Sequence, residues 1–339
     1  MNYNVVLQKA RACIDTAKCK ACPVCNGLAC RNTIPGPGAK GVGDTAIRNY
    51  QNGRISACRW ILCMKINRLI CRCSFLGASS VILFFAGPVG AIGLHYGNAY
   101  DELTYNKILV SSCAENGIAA FTGDGLDEKV MVSACEAIAA AGGAGIPTVK
   151  PWNLPLVEEK LQLVKKSGAF AVAMDVDAAG LPFLKNMQPP AGSKSVEELA
   201  EIVKAAGIPF IVKGVMTVRG ALKAHSAGAA AIIVSNHGGR VLDQCSATAE
   251  VLEEICHAVG GGMKVLVDGG IRSGVDIFKA LALGADGVVI ARPFVTAVYG
   301  GAEEGVKVYI EKLAGELEDT MKMCGAENIA AISRDMVRI

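Results

Sequence analysis

From about residue 82 onward, short apolar runs alternate with stretches of helical period. The runs fall at 83–87, 118–122, 147–151, 170–175, 210–213, 231–235, 264–268 and 287–291, and strings such as IIV, VLV and VVI within them show no polar alternation. A strand buried on both faces reads as such an unbroken run. Helix-period segments at 196–206, 217–227, 247–259 and 274–283 lie between them, and 306–324 sets Ile310, Leu313, Leu317 and Met321 on one face. Eight strand signals, each followed by a helix, predict an α/β chain folded as a (β/α)8 TIM barrel. A doubly wound open sheet is the alternative. The count of eight and the lack of an early G-x-G-x-x-G weigh against it.

Residues 1–81 break the rhythm. They divide into a Cys-rich head (1–33), a Pro/Gly segment (34–43), a polar helix candidate (44–53) and an apolar stretch. The expected organisation is a Cys-rich N-terminal extension and cap over 1–81 and the barrel over 82–339. Residues 53–82 contain no acidic residue and show no clear period; one reading is a local reading-frame shift in the gene, closed again before FFAGPVG. Residues 73–94 carry no charge, a length that raises a membrane-span reading. Gly77, Gly87, Pro88, Gly90 and Gly93 favour a buried strand with a glycine-rich exit loop, so no membrane span is expected.

Composition narrows the picture. With 52% hydrophobic and 19% charged residues, the chain is not intrinsically disordered. Lys and Arg number 34 against 31 Asp and Glu, a balance that argues against nucleic acid as a partner. Of the 14 cysteines, most lie in the N-terminal quarter, and the start shows no apolar signal core. These features predict a reducing, cytoplasmic setting with thiols free or metal-bound. Cys13 to Cys30 run C-x5-C-x2-C-x2-C-x4-C. Cys19, Cys22, Cys25 and Cys30 are the candidate metal ligands, for zinc or an iron–sulfur cluster, against a free-thiol cluster.

Catalysis in a barrel of this kind gathers at the C-terminal ends of the strands. Those ends carry Thr122 and Asp124; Lys150 and Trp152; Asp175 and Asp177; Lys213; Ser235, Asn236, His237 and Arg240; Asp268 and Arg272; and Arg292. His237, on a glycine-bounded loop, is placed to take a proton from a ligand. Arg240 can fork to a carboxylate. In VDGGIRSG, Gly269, Gly270 and the following helix start suit a phosphate, with Arg272 and Arg292 adding charge. A buried or half-buried Lys213 needs an electron-rich partner; it could form a Schiff base, hold a phosphate or stabilise negative charge on a flavin ring.

Residues 210–337 resemble the FMN-dependent 2-hydroxy-acid oxidase and dehydrogenase family, which includes glycolate oxidase, lactate oxidase and flavocytochrome L-lactate dehydrogenase. The strings that carry the resemblance are IVKGVMT, IIVSNHGGRVLDQ, ATAEVLEEI, VLVDGGIRSGVDIFKALALGADGVVIARPF and SRDMV. The resemblance implies FMN and oxidation of a 2-hydroxy acid to a 2-oxo acid. It implies that Lys213 stabilises the reduced flavin, Ser235 touches it, and His237 is the base. Arg240 would hold the substrate carboxylate and Asp177 would pair with the histidine. Asp268 would bind the ribityl chain, and Gly270, Arg272, Ala291 and Arg292 would surround the phosphate. Thr122, Lys150 and Asp175 complete the candidate cofactor-binding set. GDTAIRN (43–49) looks like the family's N-terminal motif ending in asparagine. The family also suggests a homo-oligomer and an electron acceptor that the sequence leaves open.

The chain departs from the family pattern where substrate is read. The usual glutamine and tyrosine after strand three are replaced by Lys150 and Trp152, and indole only donates. Asp175 stands where the family commonly has threonine. The second carboxylate-binding arginine has no match, with Lys185 a weak substitute. Two other readings remain: another FMN barrel enzyme similar to type 2 isopentenyl diphosphate isomerase, and a flavin and Cys-cluster protein for electron transfer or redox sensing.

Overall fold

The computed structural model describes residues 1–34, 36–59, 73–80, 83–181, 184 and 191–338. Eight parallel strands close a barrel: β1 (Phe84–Ala86), β2 (Ala120–Thr122), β3 (Gly145–Val149), β4 (Val172–Asp175), β5 (Phe210–Val215), β6 (Ala231–Val234), β7 (Lys264–Asp268) and β8 (Gly287–Ile290). β8 pairs with β1 through Val288 and Phe84, which completes the ring. The predicted strands are found with shifts of one or two residues. β3 begins two residues earlier than expected, because Pro147 lies inside the strand opposite Thr122 instead of opening it.

Alternation along each strand sorts side chains into two layers. Phe85, Phe121, Ile146, Ala173, Ile211, Ile233, Leu266 and Val289 fill the barrel. Their neighbours, such as Phe84, Met174, Val212, Ile232 and Val267, face the surrounding helices. Caps set the helix starts. Ser195 and Glu198 form a reciprocal capping box for Val196–Ala206, and Ser273 with Asp276 does the same for Gly274–Ala282. The C-terminal helix, Arg292–Cys324, breaks at Gly301 and Ala302; beyond the break Ile310, Leu313, Leu317 and Met321 are buried as one stripe.

The segment before β1 packs on the barrel at several places. Helix Tyr3–Cys13, which the sequence pattern did not reveal, lies on the C-terminal helix, with Tyr3 stacked on Tyr309 at 4.8 Å between ring centroids. Helix Asp44–Ile55 occupies the predicted polar segment. The uncharged stretch splits into a hairpin, Cys73–Phe75 with Ala78–Ser80, and then β1. Phe75 joins the barrel interior against Phe85, 5.1 Å between centroids. Among the described residues no helix is long and apolar enough to cross a membrane. Residues 60–72 and 81–82 of the stretch read as a frame shift, and Lys185, lie outside the described residues.

Candidate active site

The inward layer continues past the apolar core. Two residues beyond Ala173, Ile211, Ile233 and Leu266 stand Asp175, Lys213, Ser235 and Asp268, so the parity that fills the barrel also builds a polar floor at its C-terminal end. Asp175 bridges two cations, with Lys213 Nζ at 2.8 Å and Lys150 Nζ at 2.7 Å. Lys213 also lies 3.7 Å from Asp268, whose Oδ2 accepts from Ser235 Oγ at 2.8 Å. Burial alone would raise the Asp175 pKa, but Lys150 and Lys213 hold it well below the ordinary carboxylate range. Burial disfavours charge on Lys213, yet Asp175, Asp177 and Asp268 outweigh it and raise its pKa. Asp268 is pushed up, chiefly by burial. The floor is therefore an alternating ionic network held out of water.

His237 projects over this floor. Its φ of +55° is uncommon outside glycine, and its backbone N–H donates to Ser235 Oγ at 3.1 Å. Nδ1 meets Asp177 Oδ1 at 3.1 Å. An ionised carboxylate only accepts, so Nδ1 carries the proton and Nε2 presents the lone pair. Asp177 reaches this position because residue 214 is glycine: φ is +103°, and a Cβ there would stand 2.6 Å from the Asp177 side chain. Asp175, Asp177 and His237 bring ligand atoms within 4.8 Å of one another. The two ammonium groups on Asp175 already supply the positive charge a metal would bring.

The N-terminal segment closes over the loop after β6. Arg240 Nη1 donates to the carbonyls of Gly36 and Gly38. Asp243 accepts from the N–H groups of Gly43 and Thr45 at 3.0 and 3.1 Å. Asn49 is buried and exchanges amide hydrogen bonds with Asn236 at 2.7 and 2.9 Å, while its Oδ1 also accepts from the Thr248 N–H. The Asn49 carbonyl fills the space a Cβ would need at Gly270, whose φ is +80°. Burial lowers the Arg240 pKa to about 10.

A cavity of about 610 Å³ opens above the floor, within the size range of cofactor and ligand sites. Lys150, Asp175, Lys213, His237, Arg240, Asp268, Gly270, Arg272, Ala291 and Arg292 all line it. Ser235 and Asp177 stand behind it and hold His237. Two expectations change. Thr122 falls on the outward-facing parity of β2 and does not line the cavity. Arg272 turns toward the N-terminal head: Nε donates to the Cys25 carbonyl at 2.8 Å, Nη2 lies 3.7 Å from Cys25 Sγ, and Nη1 donates to the Ile271 carbonyl. Arg292 Nη1, by contrast, is buried without a partner, as is Asp268 Oδ1.

Trp152 does not reach for a ligand either. Its Nε1 donates to Asp124 Oδ2 at 2.8 Å, and Lys160 Nζ meets Asp124 Oδ1 at 2.7 Å. This buried trio ties the loops after β2 and β3 together. Lys160 lies mid-helix, far in sequence from any strand end, so no motif marks it.

His95, which no motif marks, also lines the cavity: it sits in the short helix Ile92–Tyr96 after β1. Burial, then Arg240 and Lys150, pushes its pKa down to about 3. Its stabilising effect is complete above the unfolded pKa of about 6.5 and is lost as pH falls from there toward 3. His95→Gln is expected to flatten the acid limb of stability in that window. Urea midpoints measured from pH 7 to pH 4 check this, and an unchanged slope contradicts it.

Around the head, Cys19, Cys22, Cys25 and Cys30 all line a second cavity. Tetrahedral zinc at Zn–S of about 2.3 Å sets sulfurs about 3.8 Å apart, but among the described residues no three of these thiols bring their sulfurs within 4.8 Å.

Residues 183–339 match the family described as FMN-dependent dehydrogenase. The peroxisomal (S)-2-hydroxyacid oxidase of Arabidopsis thaliana is 49% identical over 145 residues, 43% of this chain and 39% of its own length. Spinach (Spinacia oleracea) glycolate oxidase is 44% identical over 145 residues, 43% of this chain and 39% of the relative. The 4-hydroxymandelate oxidase of Amycolatopsis orientalis is 46% identical over 138 residues, 40% of this chain and 39% of the relative. The matched part thus spans about two fifths of these curated relatives. Among solved structures, a mandelate oxidase variant with 2-hydroxy-phenylacetamide superposes at TM-score 0.80 with 25% identity, covering 99% of this chain and 97% of that one. A flavocytochrome b2 variant gives TM-score 0.78 with 25% identity, covering 88% and 80%. The fold is the (β/α)8 barrel of these enzymes.

Proposed function

We propose that the chain is an FMN-dependent oxidoreductase that converts a 2-hydroxy acid to a 2-oxo acid. The observation that carries this reading is the His237–Asp177 pair poised over the ionic floor beside a cavity where Arg292 Nη1 is buried without a partner. The cavity residues fit FMN. Arg292 Nη1 and the Gly270 turn would hold the phosphate, Asp268 Oδ1 a ribityl hydroxyl, and Lys213 the electron-rich edge of the ring. Bound FMN supplies a two-electron acceptor.

The chain's own residues do the rest. His237 Nε2 removes the substrate proton, and Asp177 stabilises the imidazolium that results. Arg240, with Nη1 spent on backbone carbonyls, keeps its remaining donors for the substrate carboxylate. Lys213, held charged by three carboxylates, offers fixed positive charge without reorganisation. The N-terminal segment 36–45 covers the loop that carries His237 and Arg240. Because Trp152 is committed to Asp124, substrate selection falls to the wall formed by Pro37, Leu94, Tyr96, Leu126 and Leu181, which favours an apolar substituent on the hydroxy acid.

The test is the visible spectrum of the purified chain, followed by anaerobic titration with 2-hydroxy acids of increasing side-chain size. Bleaching of an oxidised flavin spectrum by one of them is expected. A protein that takes up no FMN, or whose bound FMN no 2-hydroxy acid reduces, overturns the reading.

A further inference from the structure

Between the N-terminal head and the barrel lies a second cavity of about 290 Å³, and Cys19, Cys22, Cys25 and Cys30 all line it. It shares Arg272, Arg292 and Pro37 with the larger cavity, so the two lie back to back across the arginines. From the geometry of this thiol-lined chamber we infer that it is the seat of an iron–sulfur cluster ligated by Cys19, Cys22, Cys25 and Cys30.

Three observations carry the inference. The first is spacing. The four thiols line one chamber of about 290 Å³, yet among the described residues no three lie within 4.8 Å. That is too open for one metal ion with four thiolates, whereas a polynuclear iron–sulfide core holds its four cysteine sulfurs farther apart. The second is charge. A thiolate-ligated cluster is an anion, and the chamber wall presents Arg272, Arg292, Lys20 and Lys312. The third is the chain itself. From Ile14 to Gly27 the backbone forms no helix or strand, and its cysteines are free thiols. A metal centre bound by such a segment would add its binding energy to the folding of the head.

The proposed cluster ligands are thiols that the flavin reading does not use, although Arg292 faces both cavities, and one experiment separates the two readings. The full chain is produced with added iron and purified under nitrogen. Iron, acid-labile sulfide, zinc and released FMN are each quantified, and the dithionite-reduced protein is examined by low-temperature electron paramagnetic resonance. About two to four iron atoms per chain with an equal amount of sulfide are expected, retained in Cys13→Ser, whose thiol is exposed and lines neither cavity. Cys22→Ser and Cys25→Ser should lose both iron and sulfide. Stoichiometric zinc, or no iron and sulfide even after anaerobic reconstitution with ferrous salt and sulfide, overturns the cluster. FMN without iron sinks the cluster alone, and iron without FMN sinks the flavin reading alone.

Discussion

His237→Asn is expected to leave a yellow protein that 2-hydroxy acids scarcely bleach. The rate constant for anaerobic flavin reduction should fall by about 10²–10⁴, the usual weight of a positioned base. The substitution spares the residues proposed to bind FMN, so cofactor content should stay near that of the parent. Asp177→Asn should also lower the rate steeply, for a subtler reason. A carboxylate fixes the proton on Nδ1, whereas a carboxamide can donate to Nδ1 and shift the ring to the tautomer with Nε2 already protonated. Stopped-flow reduction at saturating substrate reads both variants. A rate within a few-fold of the parent for His237→Asn removes the imidazole from the mechanism.

The second large effect concerns the floor. Lys150 and Asp175, which stand where the family this chain resembles commonly has glutamine and threonine, form an ion pair at 2.7 Å. Asp175 is buried. Asp175→Thr alone would strand Lys150 and Lys213 beside each other without their shared anion. Breaking a buried pair from one side costs about 3–5 kcal/mol, enough to unfold many single-domain proteins. Lys150→Gln combined with Asp175→Thr removes one charge of each sign and should recover part of that loss, with Lys213 keeping Asp268 at 3.7 Å as its remaining anion. Denaturant unfolding of the two single variants and the double variant measures the coupling directly. Additive losses would mean that the two positions do not act as a unit. The pair also has a pH signature. The folded pKa of Asp175 is depressed, so its stabilising effect is complete above about pH 4 and is lost as pH falls further.

Much of this architecture was legible in the residues. Barrel strands buried on both faces announce themselves as unbroken apolar runs, and the Ser195 and Ser273 caps mark helix starts within a residue. The period-two rule places Lys213, Asp175 and Asp268 on the inner face once Ile211, Ala173 and Leu266 are known to lie there. That rule, applied to β2, would also have set Thr122 aside, since its inward neighbour is Phe121. Other features depend on contacts between distant parts of the chain. Nothing local shows that Arg272 turns to Cys25, 247 residues away, or that Trp152 and Lys160 converge on Asp124. His95, although flanked by Gly93 and Gly97, has no arginine beside it and does not lie at a predicted strand end. The helix Tyr3–Cys13 was obscured by the cysteines around it, and its apolar side packs on the far end of the chain.

Phe75 and the carbonyls of Gly36 and Gly38 come from the same run of chain ahead of β1, and they serve opposite mouths of the cylinder. One corks the bottom; the others strap the top. A chimera joined at residue 83 would therefore inherit an uncorked base and an unstrapped guanidinium, however well its strands matched. Exchange of whole barrels between relatives must carry residues 36–49 and 73–80 as part of the transplanted unit.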